Sequence, residues 1–222
     1  MATNSEVILV HGLWYGNWAM ASLARRLRRV GYTCRLFSYR STATGLGNQA
    51  AELGQFVQHS PATRVNFVGH SLGGLVILRM LSGGFARPPG RVVLLGTPLQ
   101  GSKVVRKALR LPGGAAFFGL AAVSLGRGMP DLAEGGEIGM IAGARALGLG
   151  RLLGQSAQSG DGTVALAEAN ARYLSDRIVL PVSHTGLLYS AEVARAVCNF
   201  LESGHFRQGP GPSEPGRSPN HS

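Results

Sequence analysis

Short apolar runs alternate with longer stretches of helical spacing along most of the chain. Glu6 to Val10 (EVILV) is a continuous β-rich run, the pattern of a strand buried on both faces. Asn17 to Val30 follows, with apolar residues at helical intervals and arginines on the opposite side. Thr33 to Tyr39 reads as a strand and Gly47 to Gln58 as a helix, then Arg64 to Val68 (RVNFV) as a strand and Leu72 to Leu81 as a helix. Arg91 to Leu95 (RVVLL), Ile138 to Ala142 and Arg177 to Val182 (RIVLPV) supply further strands, and Ser190 to Leu201 is the closing helix. One region breaks the rhythm. Lys103 to Glu137 is rich in Gly, Ala, Leu and Phe, has no strand pattern, and is expected to be a partly helical insertion. The alternation predicts an α/β fold with a parallel-rich central sheet and helices on both faces. In such sheets the sites lie at the carboxyl ends of the strands.

Composition sharpens this reading in few places. Of 222 residues, 45% are hydrophobic and 15% charged, enough for one folded α/β domain over residues 1–206, with residues 103–137 as a cap-like insertion. From Arg207 the chain reads RQGPGPSEPGRSPNHS, which cannot bury apolar surface, so residues 207–222 are expected to be a disordered tail. Lys+Arg 22 against Asp+Glu 11 gives a net charge of +11. The basic residues are scattered apart from Arg25, Arg26, Arg28 and Arg29, which read as a solvated helix face. No nucleic-acid partner is therefore expected, while weak association with anionic surfaces is compatible with the charge. The longest apolar stretch, Gly113 to Gly126, is shorter than the roughly 20 residues a bilayer helix needs. The start MATNSEVILVHG lacks the charged and apolar regions of a secretion signal. Cys34 and Cys198 lack metal-ligand spacing and read as reduced core residues. A cytoplasmic protein is expected, with no metal or organic cofactor.

The sharpest chemical signal is Gly69-His70-Ser71-Leu72-Gly73-Gly74, between the strand RVNFV and the helix LVILRML. This is G-x-S-x-G in its strand-to-helix context, where small neighbours permit a turn that lifts the Ser71 hydroxyl above the sheet. A serine hydroxyl needs a base to act as a nucleophile near neutral pH. His205 and His221 belong to the tail or its edge, and His59 ends a helix. His70 sits inside the turn, with its side chain expected to point away from that of Ser71. His184 follows RIVLPV at the carboxyl edge and is the expected base. The orienting acid must come from Asp131, Asp161 or Asp176. Asp176 begins the strand that His184 follows, roughly 23 Å away at about 3.3 Å per residue. Asp161, in the loop Ser159-Gly160-Asp161-Gly162, is preferred, with Asp131 in the insertion as runner-up. The order Ser71, Asp161, His184 is that of an α/β-hydrolase triad. A tetrahedral intermediate also needs two fixed N–H donors. Leu72, after the nucleophile, and Leu13, in Val10-His11-Gly12-Leu13-Trp14, are the expected pair, with His11 holding that loop by hydrogen bonding.

The segments VILVHGLW, FVGHSLGGLV, VVLLGTPLQGS, GDGTVAL and SHTGLLYSAEV resemble those of small bacterial serine hydrolases of the α/β-hydrolase superfamily, near the compact lipases and esterases. SHTGLLYS is similar to the histidine loop of those lipases, and the resemblance implies carboxylic-ester hydrolysis through an acyl-enzyme. The insertion after GTPLQGS is longer than theirs. The superfamily also holds thioesterases and acyltransferases, and a catalytically silent interaction module is a rival from another class. Trp14, Phe117, Phe118 and Leu187 are the expected contacts to an acyl-ester or lipid-like substrate.

Overall fold

A computed structural model describes residues 5–84, 90–129, 131, 136–145 and 160–206. The expected tail, residues 207–222, and residues 130 and 132–135 of the insertion lie outside the described residues.

Six strands form one sheet: β1 (Ser5–Val10), β2 (Thr33–Phe37), β3 (Arg64–His70), β4 (Val92–Leu95), β5 (Ile138–Gly143) and β6 (Asp176–Leu180). They lie in the order β2-β1-β3-β4-β5-β6 with every pair parallel. β1, β3, β4 and β5 are buried almost throughout, which explains why their sequences are apolar runs rather than alternations. Register aligns the strand ends. Val10 stands opposite Gly69, His70 opposite Leu95, and Leu95 opposite Ile141. The segments that follow these residues therefore leave the sheet along one edge.

Helices cover both faces. On one face pack α2 (Leu46–Gln58) and α3 (Leu72–Ser82), with Leu53, Leu75 and Leu78 fully buried. Burying each such side chain stabilises the fold by about 2 kcal/mol. On the other face lie α1 (Ala21–Arg29) and α7 (Ala191–Ser203). α1 turns Leu23, Ala24 and Leu27 inward, which leaves Arg25, Arg28 and Arg29 on the solvated side. At the start of α7 the Ser190 hydroxyl accepts from the N–H groups of Glu192 and Val193.

The element ends differ from the periodicity in a few places, each for a local reason. The segment at Asn17 begins with a 3-10 turn (Asn17–Met20) before α1. β2 stops at Phe37 because Tyr39 turns onto β1, stacking on His11 and donating from its hydroxyl to the His11 carbonyl. β6 stops at Leu180 because Pro181 has no N–H for the ladder. The insertion forms three short helices, α4 (Lys103–Ala108), α5 (Gly114–Phe118) and α6 (Ala121–Arg127), and the part described contains no strand. Its inward residues Val105, Ala108, Phe118, Ala121 and Leu125 join the core on the α3 face.

Candidate active site

The turn from β3 into α3 is tight and closely packed. Ser71 sits there at φ 52°, ψ −118°, a conformation rare outside glycine, and such a residue stores about 1–3 kcal/mol of strain. Its neighbours explain how the turn closes. A Cβ on Gly73 would collide with the backbone oxygens of Val10 and His11, and one on Gly69 would come within 2.7 Å of Gly74. The Ser71 N–H donates to the Leu95 carbonyl at 2.9 Å, fastening the turn to the end of β4.

His184 emerges beyond β6, on the same edge. Its Nδ1–H donates to Asp161 Oδ2 at 2.7 Å. The other carboxylate oxygen accepts from the N–H groups of Thr163 (2.9 Å) and Val164 (2.8 Å), and the Asp161 carbonyl accepts from the His184 N–H at 3.0 Å. Asp161 is 1% exposed. Burial alone would raise its pKa, but the adjoining His184, its hydrogen bond and the two backbone donors outweigh that and hold the carboxyl below its ordinary value. With Nδ1 committed to Asp161, the other ring nitrogen of His184, Nε2, has no hydrogen-bond partner among the described residues. Asp131 is exposed, and Asp176 binds the Phe206 N–H at the far end of β6, so Asp161 is the aspartate that the fold brings to His184.

Beneath this pair lies Gly96, at φ +56°. A Cβ there would sit 2.9 Å from Asp161 Oδ2 and 3.1 Å from His184 Nδ1. Sequence reasoning missed this glycine, though its place directly after RVVLL could have signalled it.

Ser71 and His184 line one cavity of about 220 Å³. Its apolar wall comes from Leu13, Trp14, Val105, Phe118, Leu125 and Val164. The loop after β1 borders it. Here the His11 ring stacks on Tyr39 (centroids 4.4 Å apart), its Nδ1–H donates to the Gly12 carbonyl (2.8 Å), and Nε2 accepts from the Tyr39 N–H (3.4 Å). Burial lowers the His11 pKa, partly offset by the Gly12 carbonyl. Trp14 has φ 59°, and its N–H donates to Ser41 Oγ at 3.0 Å. The N–H groups of Leu13 and Leu72 donate to nothing among the described residues, and Leu72, the first residue of α3, has no intrahelical acceptor.

The expected substrate contacts divide. Phe118 is 3% exposed and forms part of the cavity wall, and Trp14 stands at its rim. Phe117 is exposed and packs on Trp14 outside the cavity. Leu187 does not reach the cavity: the 3-10 turn Gly186–Leu188 points it into the core beside α7, where it is fully buried.

His70 has a place in the site that the sequence reading did not give it. Its ring lines the cavity, 4.7 Å from the His184 ring, and its Nε2–H donates to the His184 carbonyl at 3.0 Å. Nδ1 is buried without a hydrogen-bond partner among the described residues. Burial first, then the neighbouring His184, push its pKa down to about 3. This contact spans 114 residues of sequence and leaves no local signal. Ser41 was missed for the same reason.

The model of the alpha/beta hydrolase family matches residues 7–212. No curated protein matches the chain by sequence. Among solved structures, a Bacillus licheniformis lipase in its mature form is 19% identical with a TM-score of 0.72, covering 90% of this chain and 91% of its own. A metagenomic carboxyl esterase is 19% identical with a TM-score of 0.69, over 83% of this chain and 65% of its own. A lipase-esterase related protein of Clostridium acetobutylicum is 12% identical with a TM-score of 0.63, over 90% and 95%. These likenesses are of fold. The parallel sheet order, the serine at the β3–α3 turn and a family match that runs almost from end to end agree, and the chain belongs to the alpha/beta hydrolase family.

Proposed function

We propose that this hydrolase cleaves carboxylic esters through an acyl-enzyme, with Ser71 as nucleophile, His184 as base and Asp161 as orienting acid. The observation that carries the proposal is the 2.7 Å bond from His184 to the buried Asp161, at a cavity whose wall also holds the strained Ser71. Ser71 Oγ attacks the ester carbonyl carbon while its proton passes to His184 Nε2. The oxyanion that forms accepts hydrogen bonds from the Leu13 and Leu72 N–H groups. As the carbonyl re-forms, the carbon–oxygen bond to the leaving group breaks, and the imidazolium returns its proton to the departing alcohol. Water then attacks the Ser71 acyl ester with His184 again as base, releasing the carboxylic acid and restoring the serine. Asp161 stays ionised throughout and stabilises the imidazolium.

The apolar wall supports an acyl chain as the group bound, with Trp14 and Phe118 as contacts. The reduced thiols Cys34 and Cys198 support a cytoplasmic setting. No helix among the described residues is long and apolar enough to cross a membrane.

A fluorophosphonate probe and a panel of p-nitrophenyl esters and acyl thioesters test the reading. Wild type is expected to label once, on Ser71, and to turn over esters. The folded Ser71→Ala variant is expected to do neither. Labelling that survives in Ser71→Ala overturns the nucleophile, and turnover confined to thioesters moves the enzyme to the thioesterases.

A further inference from the structure

The outer face of the insertion combines two features that surfaces usually keep apart. From Lys103 to Met129 the chain carries Lys103, Arg106, Lys107, Arg110 and Arg127 and no aspartate or glutamate. All five basic side chains are exposed. On α4, Val104, Val105 and Ala108 turn inward. Lys103, Arg106, Lys107 and Arg110, spaced by three and four residues, therefore share the outward side of α4 and the turn after it.

α5 and α6 bury Phe118, Ala121 and Leu125 and leave Phe117 (53% exposed), Leu120 (58%) and Val123 (59%) in solvent. Single exposed apolar side chains are ordinary, whereas a contiguous group beside a cavity marks a contact surface. Here the group is continuous with the rim of the candidate active site. The Trp14 ring packs on Phe117 with centroids 4.2 Å apart, and its Nε1–H donates to the Phe117 carbonyl at 3.0 Å. The basic and apolar parts also adjoin, since Arg106 Nη1 donates to the Gly126 carbonyl at 2.6 Å at the end of α6.

We propose that this outer face of α4–α6 docks on an anionic lipid surface, its apolar side chains entering the headgroup boundary and its basic side chains meeting lipid phosphates. Aromatic and aliphatic side chains standing among lysines and arginines are what such an interface holds. The net charge of +11 draws the whole molecule to such a surface, and the basic stretch from Lys103 to Met129 sets which side meets it. Docking places the rim at Trp14 next to the layer in which acyl lipids lie.

This surface is independent of the proposed acyl transfer, so it is tested on the full chain carrying Ser71→Ala, where no turnover intervenes. Binding is measured by co-sedimentation with vesicles of phosphatidylcholine alone and of phosphatidylcholine mixed equally with phosphatidylglycerol. The emission of the two tryptophans is followed in parallel. The expected result is binding to the anionic vesicles, weakened by salt, with a blue shift as Trp14 leaves water. Lys103→Glu, Lys107→Glu and Arg110→Glu together are expected to weaken binding about a hundredfold, at roughly fivefold for each basic residue lost. Should that variant fold poorly, the corresponding glutamine variant serves in its place. Phe117→Ser with Leu120→Ser is expected to abolish the blue shift. Arg25→Glu with Arg29→Glu, on α1, is expected to cost much less than the insertion variant. The proposal fails if anionic vesicles do not bind, or if the α1 variant loses as much as the insertion variant. Retention on an immobilised acidic polypeptide without vesicle binding also overturns it, in favour of an acidic protein partner.

Discussion

At the scale of single residues, two buried titratable groups dominate the candidate site, and both lower its stability as pH falls, over different windows. Asp161 has a lowered pKa, so its carboxylate contributes stability above the unfolded value near 3.8, and that contribution is lost as pH falls through the lower folded value. Asp161→Asn is expected to remove this dependence from the acid limb of an unfolding titration. It is also expected to cut ester turnover by about 10³–10⁴-fold, because the imidazole loses the partner that sets its tautomer. Asp131→Asn is expected to leave turnover near wild type, and a reversal of the two effects would move the acid to the insertion. His70 acts in the same direction over a higher pH window. Its folded pKa, about 3, lies below the unfolded 6.5, so between those values the unfolded chain binds the extra proton. Stability is then full above pH 6.5 and declines as pH drops toward 3, by up to about 1.4 kcal/mol per pH unit. His70→Gln keeps an N–H donor for the His184 carbonyl and cannot take up the proton. Urea unfolding between pH 4 and pH 6.5 is expected to show a flatter slope for that variant, and an unchanged slope would mean that His70 is not the group responsible. The strained turn at Ser71 was legible from its immediate neighbours, whereas the His70 contact required its distant partner to be seen.

At the scale of elements, the chemistry depends on how closely strands and helices meet at the carboxyl edge. α3 starts so near β1 that only glycine fits at position 73. Gly73→Ala is expected to destabilise the fold by about 3 kcal/mol, the upper part of the usual range for overpacking, because the colliding atoms are backbone oxygens. Differential scanning calorimetry would register this as a lowered Tm, accompanied by loss of fluorophosphonate labelling. Gly96→Ala, one strand away, is expected to act more on turnover than on stability, since its new methyl group meets the Asp161–His184 pair. A kcat indistinguishable from wild type in a folded Gly96→Ala would rule out that close approach. Strands β1, β3, β4 and β5 were legible because burial on both faces demands unbroken apolar runs. The boundaries at Tyr39 and Pro181 departed from the run for two different reasons, a ring stacked on His11 and a missing N–H.

At the scale of the whole molecule, the insertion serves the core and the candidate site at once. Phe118 and Leu125 belong to the main hydrophobic cluster and also wall the cavity. Phe118→Ala is therefore expected to lower the ratio of kcat/KM for an octanoyl over an acetyl ester by about tenfold, the lower end for one hydrophobic pocket contact. Phe117→Ala, whose ring lies outside the cavity, is expected to change that ratio much less. If Phe118→Ala lowers only the Tm and leaves the ratio untouched, the insertion is packing alone. The insertion is anchored from several sides. The Ser102 N–H donates to the Leu125 carbonyl, the Leu120 N–H to the Thr42 carbonyl, and the buried Glu168 carboxylate accepts from the Lys103 N–H.

What the sequence by itself determined follows from interactions between near neighbours. Hydrophobic spacing specifies which segments are strands and which are helices, and the steric needs of a strand-to-helix turn single out Ser71 between Gly69 and Gly73. The tertiary structure decided what depends on register and packing across the sheet. It brought Asp161 rather than Asp131 against His184, folded the His70 ring back over the His184 carbonyl, and sent Leu187 into the core while Phe118 entered the cavity wall. Asp161 and Asp131 are chemically alike, and Leu187 and Phe118 are both large and apolar. What separates them is distance in space, which parallel pairing of β3, β4, β5 and β6 imposes and no local pattern encodes.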